Sequence, residues 1–246
     1  MAANSNIPAG QASNMTPDYE VKLLLKPDTV LNSGNELTST VLAAFDVLPG
    51  VINQTIQYLN TNEKHLYSKD WSARVHKTEN EDGLELTYKK RYAITANNID
   101  ATLTKANDDG FNASEGKYDA QVEWGGMDLP EELSSRSMLI EEAPTKFDNW
   151  LYDKWGTGIL ASSRVFGPVY SKRYVGRWEG TKMYLEVWPL RNSEGTGYEY
   201  LVEASLKTET YMEASKKHAS LMSHLQGKGW FLEQDSLRTQ LIMERY

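Results

Sequence analysis

The chain has 246 residues, 26 Lys+Arg against 34 Asp+Glu, a formal net charge of −8, no Cys and 40% hydrophobic residues. That apolar share suits a globular protein, while the acidic balance argues against nucleic acid or an anionic membrane surface as a general partner. Without Cys there is no disulfide framework, thiolate metal site or thiol nucleophile.

Residues 1–17 carry neither a basic flank nor an apolar core and read as a disordered leader, not a signal peptide. No apolar run approaches the roughly 18 residues of a spanning helix, so a soluble cytoplasmic protein is expected. From Asp18 the run DYEVKLLL alternates, with Asp18, Glu20 and Lys22 opposite Tyr19, Val21 and Leu23. Leu37–Leu48 has helical spacing and stops at Pro49-Gly50. Further strands are predicted at Gln54–Leu59, Ser72–Lys77, Leu84–Tyr92, Tyr118–Trp124, Ser171–Arg177, Lys182–Trp188 and Tyr198–Ser205, the last three joined by Gly-containing turns. Helices are predicted at Glu131–Glu142, Lys146–Lys154 and Tyr211–Gln226, and the polar stretch Asn97–Gly116 reads as a long loop. Strands mostly in hairpins with helices interspersed predict an α+β fold: an eight-stranded antiparallel β-barrel, or tunnel, with helices packed outside, formed by residues 18–246 as one domain.

The charges repeat with the strand period. Arg74 and His76 share a face, as do Glu85, Thr87, Lys89 and Arg91, then Gln121 and Glu123, then Glu199, Leu201 and Glu203. Such faces can be wet outer surfaces. If they turn inward, Asp18, Glu20, Glu123, Glu186, Glu199 and Glu203 meet Lys22, Arg74, Lys89, Arg91 and Arg173 in one lumen. A lumen so lined is costly without a ligand, and a polyphosphate on the bases with Mg²⁺ or Mn²⁺ on the acids would suit it.

At these residues the sequence resembles the CYTH superfamily, the triphosphate tunnel metalloenzymes. DYEVK at 18–22 is similar to its Glu-x-Glu-x-Lys strand, with Asp18 for the first Glu. QYLNT at 57–61, WSARVH at 71–76, LELTYKKRY at 84–92, AQVEW at 120–124 and SKRYVGRWEG at 171–180 follow in the family's order. The resemblance implies a tunnel open at both ends that grips a triphosphate on Lys22, Arg74, His76, Lys89, Arg91 and Arg173. It implies Mg²⁺ or Mn²⁺ on Asp18, Glu20, Glu123, Glu199 and Glu203, with Glu20, Lys22 and Glu203 at the catalytic centre.

The departures are as informative. Gln121, Trp188 and Leu201 stand where the family commonly carries carboxylates, and His76 stands for an Arg. One metal is therefore expected rather than two. Trp188 and Leu201 would line an apolar end of the tunnel, suited to the body of a phosphorylated ligand. The expected function is hydrolysis of an inorganic, thiamine or nucleoside triphosphate by a monomer or homodimer acting on a small phosphorylated molecule. The alternatives are a lyase or cyclase on an apolar metabolite or diphosphate ester, and a non-catalytic phosphate binder. His65, His218 and His224 lack metal-ligand spacing and read as surface residues, and Trp150 and Trp155 as helix packing.

Overall fold

The computed structural model describes residues 15–111, 118–125, 136–141, 144–234 and 238–246. The alternating run forms β1 (Asp18–Leu25), followed by α1 (Pro27–Val30), α2 (Ser39–Ala44), β2 (Ile52–Asn60), β3 (Trp71–Thr78) and β4 (Glu85–Ala93). Next come α3 (Ile99–Asp108), β5 (Asp119–Trp124), β6 (Arg136–Glu141), α4 (Pro144–Asp148) and α5 (Trp155–Ala161). The chain ends in β7 (Arg164–Trp178), β8 (Thr181–Arg191), β9 (Tyr198–Thr208), α6 (Tyr211–Gly227) and α7 (Arg238–Arg245).

The strands close into a barrel in the order β1-β5-β6-β4-β3-β2-β7-β8-β9. All described pairings are antiparallel except β1 with β5, where Glu20 sits opposite Glu123. The α+β tunnel expected from the sequence is thus the fold, with one strand more than expected. The addition is β6, which lies within the stretch read as the helix Glu131–Glu142; residues 131–135 and 142 lie outside the described residues. Glu, Leu and Met favour helix locally, but pairing with both β5 and β4 overrides that preference. The expected loop at Asn97–Gly116 instead contains α3, capped by the Asn98 side chain, which accepts from Ala101 N. Of the helix expected over Lys146–Lys154 only residues 146–148 are helical, at the end of α4; turns follow, and α5 starts just past the expected range, after Lys154 at φ +58°.

Two apolar cores lie outside the barrel and a third lies within it. Val21, Leu23 and Leu25 of β1 pack outward under Ala214, Leu221 and Leu225 of α6, together with Val41 and Phe45. Trp71, Tyr92 and Val122 pack under α3 to α5, and Met15, the first described residue, joins them; residues 1–14 lie outside the described residues. The third core occupies one end of the lumen. There Ile242 and Met243 of α7 meet Leu24, Ile56, Tyr58, Phe166, Trp188 and Leu201. No described helix is long and apolar enough to cross a membrane.

One glycine is required by close approach. A Cβ on Gly176 would lie 2.6 Å from the Phe45 carbonyl oxygen, which accepts from Arg177 N at 2.7 Å. Gly176→Ala should therefore cost about 1–3 kcal/mol and lower the melting temperature by about 3–10 °C. An unchanged thermal melt would show that β7 is not held against Phe45.

Candidate functional site

The register aims one parity of the strands that carry the site inward. Glu20, Lys22 and Leu24 enter from β1, Glu123 from β5, Lys89 and Arg91 from β4, and Ser72 and Arg74 from β3. Arg173, Glu186, Trp188, Leu201 and Glu203 enter from β7, β8 and β9. Barrel closure brings together residues more than a hundred positions apart. Lys22 donates to Glu123, and Arg91 donates to the other Glu123 oxygen at 2.8 Å. Glu20 lies 3.2 Å from Lys22 Nζ and accepts from the Gln121 amide. Burial works against the charge on Lys22, but Glu123, Glu20 and Glu203 outweigh it and raise its pKa. Burial likewise opposes ionised Glu123, and Lys22 and Arg91 overcome it, holding the carboxyl far below its ordinary range.

The second cluster is centred on Glu186. It accepts from Arg173 Nε at 2.7 Å, from the Trp188 indole at 3.1 Å, and from Arg238 Nη1 at 2.6 Å. The Arg238 guanidinium also lies 4.3 Å from the Trp188 ring centroid and 3.4 Å from Glu203 Oε1. Burial is the main opponent of ionised Glu186, yet Arg238 and Arg173 draw its pKa down to about 2. Glu203 goes the other way: burial raises it against the pull of Arg238 and Lys22, and its Oε1 makes no hydrogen bond among the described residues.

A cavity of about 250 Å³ lies between these clusters, lined by Lys22, Arg74, Lys89, Arg91 and Arg238 against Glu123, Glu203 and Asp70. Among the described lining residues five cationic side chains thus face three carboxylates, an excess of two positive charges when every lysine is protonated. Tyr58, Tyr67, Trp71, Ser72 and Thr239 complete the lining. Burial first, then Arg74 and Lys22, lowers the Lys89 pKa to about 7 despite Glu123 and Glu20. The buried Nε of Arg74 has no hydrogen-bond partner among the described residues. A guanidinium donor left unsatisfied beside a lysine whose charge is opposed by burial suits an anion.

The residues expected to hold metal fit it poorly. Asp18 is exposed, and Glu199, half exposed, pairs with Arg245 of α7 beyond the end of the lumen. Glu20, Glu123 and Glu203 do share the lumen, but each already faces a cation of the chain. Among the described residues no three acidic or imidazole side chains converge as a metal site. A divalent ion needs several anionic oxygens not otherwise neutralised, so these carboxylates do not offer one in this arrangement.

Of the residues expected to grip phosphate, Lys22, Arg74, Lys89 and Arg91 line the cavity. Arg173 is set back on Glu186 and over the Tyr184 ring. His76 does not line the cavity: it lies 3.0 Å from the Gln54 amide and 3.2 Å from exposed Glu85, which also faces Arg74 at 4.0 Å, and burial lowers its pKa. Trp188 and Leu201 are covered by Ile242 and Met243, so the apolar end expected to receive a ligand body is filled by the chain itself. Arg238 has no counterpart in the sequence-based expectation. Its only local signal is its place four residues before buried Ile242, on the same helix face. His218, expected at the surface, is buried, stacked on Trp124 and 2.8 Å from the Gly125 carbonyl oxygen.

Neither a protein-family model nor a curated protein matches the sequence. Solved structures do match in fold. One is HpAC1 of Hippeastrum, a candidate adenylyl cyclase described as revealing a dominant triphosphatase activity. It is 19% identical over 92% of this chain and 99% of its own, with a TM-score of 0.51. Another is a candidate adenylate cyclase of Bacillus halodurans, 11% identical over 92% of this chain and 98% of its own, with a TM-score of 0.52. At these identities the likeness is one of fold alone, and it is the closed α+β barrel described above.

Proposed function

We propose that this CYTH-like tunnel binds the phosphate chain of a small phosphorylated molecule, a triphosphate first among them, and hydrolyses it in the cytoplasm as a monomer or homodimer. The observation that carries this reading is the excess of lysine and arginine around the cavity in a chain whose net charge is −8. The average charge conceals a pocket of opposite sign. The triphosphatase activity described for HpAC1 supports the same substrate class through likeness of fold.

In the proposed step a water oxygen forms a bond to the terminal phosphorus, the bridging P–O bond breaks, and the water's proton passes to a phosphate oxygen. Lys22, Arg74, Lys89 and Arg91 hold the chain of phosphates and neutralise the charge that develops on the transferred and leaving oxygens. Because the carboxylates are already paired with cations, Mg²⁺ or Mn²⁺ enters as part of the substrate, the metal chelate of the triphosphate. Glu20 and Glu123 then serve to place Lys22 and Arg91.

The assay is phosphate release from tripolyphosphate, thiamine triphosphate and ATP, each with Mg²⁺ or Mn²⁺. Turnover on at least one is expected. Arg74→Ala and Arg91→Ala should each lower kcat/KM by about 100-fold, as for loss of a charged contact to the transferring group. No release from any of the three would overturn hydrolysis. The lyase or cyclase alternative no longer rests on Trp188 and Leu201, which α7 covers, and its support is the description of both similar structures as candidate adenylate cyclases.

A further inference from the structure

The proposed pocket contains one cation that comes from outside the barrel wall. Arg238 stands at the first turn of α7, and α7 is anchored well beyond it: Ile242 and Met243 are buried in the lumen core, and Arg245 pairs with Glu199. The guanidinium is fixed on three sides, by Glu186 at 2.6 Å, Glu203 at 3.4 Å and the face of Trp188. Trp188 is held in turn by its own indole bond to Glu186. These contacts form a closed set: two buried carboxylates, one guanidinium across them, and an aromatic ring beneath the guanidinium.

The same two carboxylates are the pair that a divalent ion could use if the helix were absent. Glu186 and Glu203 lie directly opposite each other on β8 and β9 and are buried at 3% and 4% exposure. Glu20 lies near enough to influence both Glu203 and Arg238 electrostatically. A metal ion and a guanidinium cannot both occupy the space between them, and two positive centres at contact distance repel by far more than thermal energy.

We propose that Arg238 is the resident cation of the lumen: it holds Glu186 and Glu203 in place of a divalent metal ion and presents a fixed positive charge to the phosphate chain. Trp188 is then a positioning residue, the platform that keeps the guanidinium against Glu186. The contact with phosphate rests on the function proposed above; the exclusion of metal does not. Arg238 borders the same cavity as Lys22 and Arg91, so a bound phosphate oxygen meets it without leaving the tunnel.

The test separates the two parts. Mn²⁺ is titrated into the phosphate-free protein and followed by electron paramagnetic resonance. The wild-type chain should hold no Mn²⁺ more tightly than about 1 mM, whereas Arg238→Ala should bind it at least about 100-fold more tightly as two carboxylates are released. The double variant Arg238→Ala with Glu203→Gln should lose that gain. Arg238→Gln, which keeps hydrogen-bonding capacity without charge, gives a second reading should the alanine variant melt. Micromolar Mn²⁺ binding by the wild type, or no gain in either Arg238 variant, would overturn the exclusion of metal. In parallel, tripolyphosphate is titrated in EDTA, and Arg238→Gln should weaken its binding about tenfold or more. Equal binding by wild type and variant overturns the phosphate contact. Absence of binding to the wild type, with Mn²⁺ results as expected, overturns the proposed function and leaves the Arg238 assignment to metal exclusion standing.

Discussion

Lys89→Met should make the protein more stable and a poorer binder of phosphate, and the gain in stability should depend on pH. Burial beside Arg74 and Lys22 lowers the Lys89 pKa from 10.5 to about 7. The folded state therefore holds the lysine proton less tightly than the unfolded state does. Where the folded pKa is lowered for a base, the destabilisation is fully present below the folded pKa and fades as pH rises toward the unfolded value. At pH 6 the wild type should bear a cost on the order of 2–4 kcal/mol that the apolar side chain removes, raising the melting temperature by about 4–12 °C. By pH 9 the difference between the two proteins should shrink to about half or less. Phosphate binding should respond in the opposite direction. An anion restores the lysine proton, so wild-type affinity for tripolyphosphate should fall as pH rises through about 7, while the variant, about 10- to 100-fold weaker at pH 6, should show a flatter profile. A Lys89→Met variant no more stable than wild type at pH 6 would mean that Lys89 carries no such burden.

The second large effect is at Glu123. One of its oxygens accepts from Lys22 and the other from Arg91, and the side chain is almost fully enclosed. Removing the charge leaves two partly buried cations facing a neutral amide, a change that costs on the order of 3–5 kcal/mol. Glu123→Gln should accordingly melt about 6–15 °C below the wild type at pH 7. Because the folded pKa of Glu123 is depressed, its contribution is present above the unfolded carboxyl pKa and is lost as pH falls through the folded one. The stability gap should therefore hold from pH 8 to about 5 and close progressively in stronger acid. A gap independent of pH would assign the loss to packing instead of charge.

Taken together, these effects describe a lumen that is less stable than an apolar core of the same volume would be. Two of its charged groups, Glu123 and Glu186, are locked by cations, while Lys89 and Glu203 are displaced toward their neutral forms. Such displacement is common where a polar site awaits a partner of opposite charge. The outer helices and the core beneath α6 supply the apolar burial that tolerates it.

The inward residues are legible in the sequence because strand parity is a local property. Glu20 and Lys22, Arg74, Lys89 and Arg91, and Glu123 each announce a face by period-two spacing, and closure of the barrel does the rest. What parity does not show is pairing across the ring. Lys22 meets Glu123 because β1 runs parallel to β5, a crossover that no turn residue in the sequence marks. β6 reads as part of a helix because RSMLIE lacks clean alternation and carries residues that favour helix; its strand form depends on two non-local neighbours. The α3 segment has only Thr102, Leu103 and Ala106 buried, too few apolar positions to show a stripe. His218 reads as a surface residue because it lacks metal-ligand spacing to His224, although it shares a helix face with buried Ala214, Leu221 and Leu225.

The assignment of Trp188 and Leu201 shows a different limit. Their inward direction is correct, and their apolar character suggests a ligand. The structure gives them a partner from the same chain, the face of α7 that carries Arg238 and Ile242. An apolar residue in a polar lumen marks a surface to be covered, and sequence alone does not say by what.

The most direct measurement is isothermal titration of tripolyphosphate into the full chain in EDTA, repeated at pH 6.5 in two buffers of different ionisation enthalpy. Saturable binding near the micromolar range, about −8 kcal/mol, is expected. It should weaken with added salt and differ between buffers by the uptake of a fraction of a proton at Lys89. No saturable heat in either buffer would contradict an oligophosphate site in this lumen.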